Sequence, residues 1–159
     1  MIFITLGSQK FQFNRLLKAV DELVSAGKID GEIFAQTGYS DYKPENYAFK
    51  PFVDRDEFKN YTDKCDIFIT HGGTGAIIGA VKKEKKVIAV ARLAKYGEHV
   101  DDHQLQILEQ FDELGLIYSC KDCSELEQAL EYVKTHEFKK YESNTQTIID
   151  DIERFINEF

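Results

Sequence analysis

Two short stretches carry most of the residue types that could do chemistry. Residues 70–75 read Thr-His-Gly-Gly-Thr-Gly, and residues 98–104 read Glu-His-Val-Asp-Asp-His-Gln. The first follows the apolar run Ile67-Phe68-Ile69 and precedes the small apolar residues Ala76-Ile77-Ile78. That is the pattern of a buried strand, a glycine turn and a helix start. Glycine has no Cβ, so a ligand can approach its main chain closely. A helix start points free N–H groups and partial positive charge back at the turn. His71, Gly72, Gly73, Thr74 and Gly75 therefore form a candidate anion loop suited to phosphate. Gly7 and Ser8, after the run Ile2 to Leu6, repeat that logic. Two such turns facing one cleft could hold a diphosphate, and the competing reading is two ordinary tight turns.

The loop is neither a Walker loop nor a G-x-G-x-x-G nicotinamide fingerprint after the first strand, and it lacks the G-x-S-x-G nucleophile elbow. The second stretch allows three readings. His99 and His103 are four apart and could ligate a metal from one helical face. Asp102, His103 and Gln104 could instead hydrogen-bond sugar hydroxyls, where a missing partner is costly. Or the cluster is only a polar helix start. No metal and no cofactor is expected.

The elements that must position these residues alternate. Strands are expected at Ile2 to Leu6, Ile33 to Gln36, Tyr47 to Val53, Ile67 to Thr70, Val87 to Val90 and Leu116 to Ser119. Helices are expected at Phe13 to Ser25, at 54–62 with Asp54 as N-cap, at Gly75 to Lys83 and at Asp101 to Leu114. A capping box at Ser124 to Glu127 opens another helix running to Thr135. The alternation implies right-handed crossovers, a mostly parallel sheet and helices on both faces: an α/β, Rossmann-like architecture. In such sheets ligands bind beyond the carboxyl ends of the strands. Both glycine turns, Phe52-Val53 and the 91–103 stretch leave those ends.

The 159 residues, 43% hydrophobic, form one domain with a packed core. The net charge of −8 argues against nucleic acid as a partner. The basic cluster Lys82, Lys83, Lys85 and Lys86 reads as a solvated helix end. No signal peptide or membrane-spanning run is visible, so a cytoplasmic chain is expected. Cys120 and Cys123 spell C-x-x-C without the companions of a zinc or redox site, and with Cys65 they read as reduced structural thiols. Residues 144–159 carry a wide apolar stripe, Ile148, Ile149, Ile152, Phe155, Ile156 and Phe159, which either packs on its own sheet or docks on a partner.

The Thr70 to Gly75 turn, a hydrophobic strand about a dozen residues later, and Asp102-His103-Gln104-Leu105 resemble the C-terminal, donor-binding domain of family 28 glycosyltransferases, half of a GT-B fold. The resemblance runs from Ile4-Thr5-Leu6-Gly7-Ser8 to the chain end. It extends to free-standing subunits of two-chain UDP-sugar transferases, of the dolichol-linked N-acetylglucosaminyltransferase and of the capsule and exopolysaccharide types. It implies that Gly7, Ser8 and the Gly72 to Gly75 turn hold the nucleotide diphosphate, with His71 near it as ligand contact or loop brace. It implies that Phe52 and Val53 frame the uracil and that Asp102 and Gln104 bind the donor sugar, with His103 beside them.

The resemblance further implies a UDP-sugar donor, a lipid-linked acceptor and a membrane-anchored partner that supplies the acceptor site and the general base. Membrane association would then come only through that partner. Two positions depart from the family pattern. Many relatives carry a ribose-binding Glu where Gly79 stands, and Gly-Lys-Pro where Glu84-Lys85-Lys86 stands. Gly79 opens a second expectation, a non-catalytic module that enhances a partner transferase. A third is an unrelated sugar-phosphate enzyme using His71 or His103 as acid/base.

Overall fold

In the computed structural model, which describes residues 1–144 together with Ile149 and Glu153, strand and helix alternate along the chain. The strands are β1 (Ile2–Thr5), β2 (Ile33–Gln36), β3 (Ala48–Lys50), β4 (Ile67–His71), β5 (Lys86–Val90) and β6 (Tyr118–Cys120). The helices are α1 (Asn14–Ser25), α2 (Arg55–Lys64), α3 (Thr74–Val81), α4 (His103–Glu113) and α5 (Leu126–Thr135). One six-stranded sheet runs in the order β3-β2-β1-β4-β5-β6, and every pairing is parallel. The order reverses between β1 and β4, so the loops after these neighbours diverge to opposite faces and open a crevice there.

The strands are continuous apolar runs because both faces are covered. Alternate residues feed two separate cores. Ile2, Ile4, Ile69, Ile88 and Val90 pack with Leu16, Leu17 and Val20 of α1 and Leu126, Ala129, Leu130 and Val133 of α5. Phe3, Phe68, Val87 and Ala89 face the other way, onto Ile77, Ala80 and Val81 of α3, Leu108 of α4, and Phe58 and Tyr61 of α2. Phe34 and Tyr61 stack face to face, with ring centroids 3.9 Å apart. Helices on both faces of a parallel sheet are thus observed as expected.

Some boundaries differ from the sequence expectation, each for a local reason. The third strand is shorter, Ala48–Lys50, because Pro51 has no N–H to extend the ladder. It is also the sheet edge, with largely exposed side chains. The last strand slides toward the C-terminus, to Tyr118–Cys120. The box expected from Ser124 does not form. Asp122 caps a short 3-10 turn through Ser124 N, and α5 begins at Leu126. By contrast Asp54 and Glu57 do form a reciprocal capping box on α2. The terminal helix expected over residues 144–159 lies, save for Asn144, Ile149 and Glu153, outside the described residues.

The basic cluster has structural partners. Lys85 Nζ donates to Asp63 O and Cys65 O at 2.7 and 2.9 Å, at the C-terminal end of α2. Lys86 Nζ donates to Val133 O and Lys134 O at 2.6 and 2.9 Å, closing the last turn of α5. Lys83 pairs with Asp63. The three cysteines are buried, and burial raises the ordinary thiol value of each, so they stay protonated near neutrality.

Asp21, buried on α1, organises the segment that leads into β3. Its carboxylate accepts from Tyr42 Oη at 2.7 Å, and from Glu45 N, Asn46 N and Asn46 Nδ2, each at 2.9 Å. Burial alone would raise this carboxyl, but the four donors outweigh it and hold the group below its ordinary value. Asp21→Ala strands those donors and should destabilise the fold by about 2–3 kcal/mol in urea unfolding. A loss within the scatter of exposed-site substitutions would show that the 42–46 segment is held by other contacts.

Candidate functional site

The parallel sheet delivers five segments to one end: Gly7 to Gln9, Thr37-Gly38, Phe52-Val53, Gly72 to Thr74, and 91–103. At the centre of this end stands His71, the last residue of β4, which is 6% exposed. Its ring lies between two glycines. A Cβ on Gly7, whose φ is +70°, would come within 2.7 Å of His71 Cε1. A Cβ on Gly73 would meet Nε2 and Cε1 of the same ring. The glycines therefore admit an imidazole as well as any ligand. Thr70 Oγ1 donates to Thr5 O at 3.0 Å and lies 3.4 Å from His71 Nδ1. With that hydroxyl proton used on β1, the contact fits the tautomer carrying its proton on Nδ1.

Gly72 is close-packed for a second reason. A Cβ there would sit 2.7 Å from Gln104 Cβ. Gln104, at the start of α4, is 3% exposed. Its Oε1 accepts from Gly72 N at 3.1 Å and from Arg92 N at 3.0 Å. One side-chain oxygen thus ties the turn after β4 to the turn after β5, and these two bonds leave the amide NH2 unused. Asp102 Oδ1 accepts from Ala94 N at 2.7 Å. Asp102 and His103 are exposed beside it.

Several residues with central places in this arrangement were not singled out from sequence. Arg92, just past β5, is 1% exposed, and its Nη2 donates to Leu6 O at 2.8 Å and Phe11 O at 3.2 Å. It pins the segment bearing Gly7 and Ser8. Its Nε and Nη1 have no partner among the described residues. Burial lowers this guanidinium to about 10, against the opposing pull of Glu98, so it remains charged at neutral pH. Glu98 is fully buried and holds Arg15 through Nε at 3.0 Å and Nη2 at 2.9 Å, while accepting Leu93 N at 3.0 Å. Arg15 also donates to Asp122 and Ala91 O. The signal for Arg92 was its type and place, a cation directly after an apolar strand. The Arg15–Glu98 pair spans 83 residues and leaves no local pattern.

On the β2–β3 side, Gln36 bridges the sheet. Its Nε2 donates to Thr5 Oγ1 at 3.4 Å, and its Oε1 accepts from Val53 N at 3.2 Å. Phe52 is about half exposed and meets Tyr39, also half exposed, edge to face at 5.3 Å. Tyr39 adds a second ring beside Phe52.

The helix starts differ in a telling way. α2 satisfies its own N-terminus with Asp54 and adds Asp56 and Glu57 in its first turn. α3, N-capped by Gly73, has no side-chain cap and no acidic residue in its first turn, and the same holds for α1 and α4. The first N–H of α1 is taken by Gln12 Oε1 and that of α4 by Asp101 Oδ1, whereas among the described residues no side chain takes that of α3. Gly75 lies in that open turn, exposed, and a Cβ there would meet nothing within 4 Å. A cavity of about 780 Å³ lies elsewhere, along α1 between Asn14, Lys18, Tyr96 and Ser124. The Arg15–Glu98 pair already fills part of its wall, and no glycine-turn residue lines it. The turn at the switch point differs from this cavity in keeping main-chain donors that no side chain among the described residues takes.

A model of the glycosyltransferase family 28 C-terminal domain matches residues 1–159. The UDP-N-acetylglucosamine transferase subunit ALG13 of Candida glabrata is 34% identical over 108 residues, covering 67% of this chain and 52% of that protein. The curated relatives matched are longer, and the alignments span from 11% to 52% of their length. Among solved structures, the NMR solution structure of ALG13 superposes with a TM-score of 0.60 at 19% identity, over 89% of each chain. The crystal structure of Acinetobacter baumannii MurG superposes with a TM-score of 0.60 at 17% identity, over 84% of this chain and 41% of that one. At these identities the superpositions establish the fold.

Burial first, and then the charge of Arg92, push the His71 imidazole down to about 4. It is neutral at pH 7. In an unfolded chain it titrates near 6.5. Between those values the unfolded chain binds a proton that the folded one refuses, so stability should fall as pH drops from about 6.5 to about 4. The loss should approach about 3 kcal/mol for this group. Urea midpoints measured across that window should show the slope, and His71→Asn should flatten it. An equal slope in the variant would assign the pH dependence to another group.

Proposed function

The chain belongs to the glycosyltransferase family 28 C-terminal domain family, and from that premise we propose that it is the nucleotide-sugar-binding subunit of a two-component glycosyltransferase. The reaction is transfer of a hexose or N-acetylhexosamine from a UDP-sugar to a lipid-linked acceptor in polysaccharide or glycan synthesis. The observation that carries this reading is the uncapped, acid-free start of α3 beside the Gly7 turn at the sheet's switch point. Loop amides and the helix end can stabilise the charge that develops on a departing UDP without a metal ion. Phe52 with Tyr39 offers an aromatic wall for the base, and Asp102, His103 and the amide of Gln104 lie on the rim where donor hydroxyls would come.

The site is an open face of strand ends, and His71, held neutral and buried, is a poor base for a solvent-side hydroxyl. Both features fit a partner that closes the face, presents the acceptor and deprotonates it. No helix among the described residues is long and apolar enough to cross a membrane; we assign the membrane anchor to that partner and residues 144–159 as a candidate docking helix. Gly79 favours a second reading, a non-catalytic enhancer of the partner. The position is exposed on α3, and a Cβ there would meet nothing within 4 Å, so Gly79 itself offers no carboxylate where many relatives have one. Partner assays with and without this chain separate the two readings.

Thermal shifts with UDP, UDP-glucose, UDP-galactose, UDP-glucuronate and UDP-N-acetylglucosamine test the donor site. A cognate ligand at 100 times its Kd should stabilise the protein by about 2.7 kcal/mol. Gly75→Ala should raise the unliganded stability by about 0.5–1 kcal/mol, since it replaces a helical glycine in open space. The same methyl should shrink the ligand-induced shift by crowding the approach to the α3 amides. If no uridine compound shifts the wild-type protein, the donor reading fails. If Gly75→Ala keeps the full shift, the diphosphate does not rest on that turn.

A further inference from the structure

We propose that His99, Asp101 and His103 form a binding site for a divalent zinc-class ion at the entrance to α4. One nitrogen or oxygen from each residue lies within 4.8 Å of the others. His99 Nδ1 stands 3.3 Å from Asp101 Oδ1, within ion-pair reach but without hydrogen-bond geometry. Tetrahedral coordination with bonds of about 2.0–2.1 Å puts neighbouring ligand atoms roughly 3.3 Å apart, so these two atoms already stand at ligand spacing. His103 Nδ1 hydrogen-bonds the same Asp101 oxygen. Two imidazoles and one carboxylate suit zinc and its late first-row neighbours better than magnesium or calcium, which prefer all-oxygen shells.

A second observation separates this cluster from an ordinary polar helix start. The His99 side chain is only 8% exposed, yet its Nδ1 has no hydrogen-bond partner among the described residues. Buried polar atoms are rarely left unpaired, and each such atom calls for an explanation. The ring is fixed from behind by Phe11, with centroids 5.0 Å apart, and from the side by the His103 ring at 4.9 Å. Packing thus holds the imidazole while Nδ1 faces the carboxylate. Asp101 and His103 are each about half exposed. The entry path is therefore open, and the remaining coordination position falls to water or a ligand.

Binding exchanges one interaction for three. The His103–Asp101 hydrogen bond opens, each imidazole coordinates as the neutral ring through Nδ1 with its proton on Nε2, and the carboxylate supplies Oδ1. The ion would fix the 99–103 segment immediately before Gln104, whose oxygen holds both Gly72 and Arg92. The proposal does not depend on the donor reading, since it uses no nucleotide contact.

The test uses untagged, chelator-treated full-length protein. Zinc is titrated by calorimetry, and cobalt(II) is followed by its visible absorption. One ion should bind per chain and raise Tm, with cobalt absorption typical of a low-symmetry nitrogen and oxygen site. Asp101→Asn and His103→Ala, both at exposed positions, should each weaken binding by more than about 100-fold, beyond the ~10–100-fold that losing an outer-shell partner costs. His99→Gln should do the same. Circular dichroism checks that the variants fold, and His136→Gln, outside the cluster, should bind like wild type. Absence of a stoichiometric zinc site overturns the proposal. So does binding that survives Asp101→Asn and His103→Ala, or that is lost in His136→Gln.

Discussion

The ring of His71 is the piece around which the strand ends are assembled. It occupies the space that the missing side chains of Gly7 and Gly73 leave, and so it joins the turns after β1 and β4 across the switch point. A parallel sheet guarantees that these turns share an end, but not that they hold a fixed separation. The buried ring sets that separation, and Thr70, bonded to Thr5 O, sets its rotation. Neutrality follows from the same placement: a desolvated imidazole beside a guanidinium sheds its proton. A charged ring there would repel Arg92, and Arg92 is what holds the Leu6 to Phe11 segment.

A network of backbone-directed side chains extends this order outward. Gln104 Oε1 joins Gly72 to Arg92, Glu98 joins Leu93 to Arg15, and Gln36 joins Thr5 to Val53. Each spends at least one bond of a long polar side chain on a main-chain N–H that an irregular loop would otherwise leave unpaired. The consequence is a site whose loops are braced from beneath, while the amides at the α3 start are not consumed by the protein's own carboxylates. A loop that satisfied its own helix end, as Asp54 and Glu57 do on α2, would have nothing left for an anion.

The architecture was legible because period and punctuation agree. An apolar run as short as Val87 to Val90 between two helical patterns reads as a strand covered on both sides, and the helices between such strands fix the parallel sense. The glycine turns and the Asp102 to Gln104 stretch were found for the same reason: residue type and position after a strand are local properties. Arg92, the Arg15–Glu98 pair and Gln36 escaped because their roles depend on partners 17 to 86 residues away. The capping box at Ser124 was misplaced because Asp122, two residues earlier, takes the Ser124 N–H that Glu127 would have accepted. The edge strand was overextended because Pro51, without an N–H, ends the ladder before Phe52 and Val53.

One glycine-rich motif here contains glycines of two kinds, and the distinction bears on how such motifs are read. Gly7, Gly72 and Gly73 are required by the protein itself: a Cβ at each would strike His71 or Gln104. Their presence would be explained even if nothing ever bound. Gly75 has no such internal reason. It lies exposed in the first turn of a helix, where a side chain would stabilise the backbone and meet no neighbour. Only a residue whose smallness the fold does not demand can report on something outside the fold. The diphosphate reading therefore draws its weight from Gly75 and the uncapped amides around it, and far less from the run of three glycines that first draws the eye.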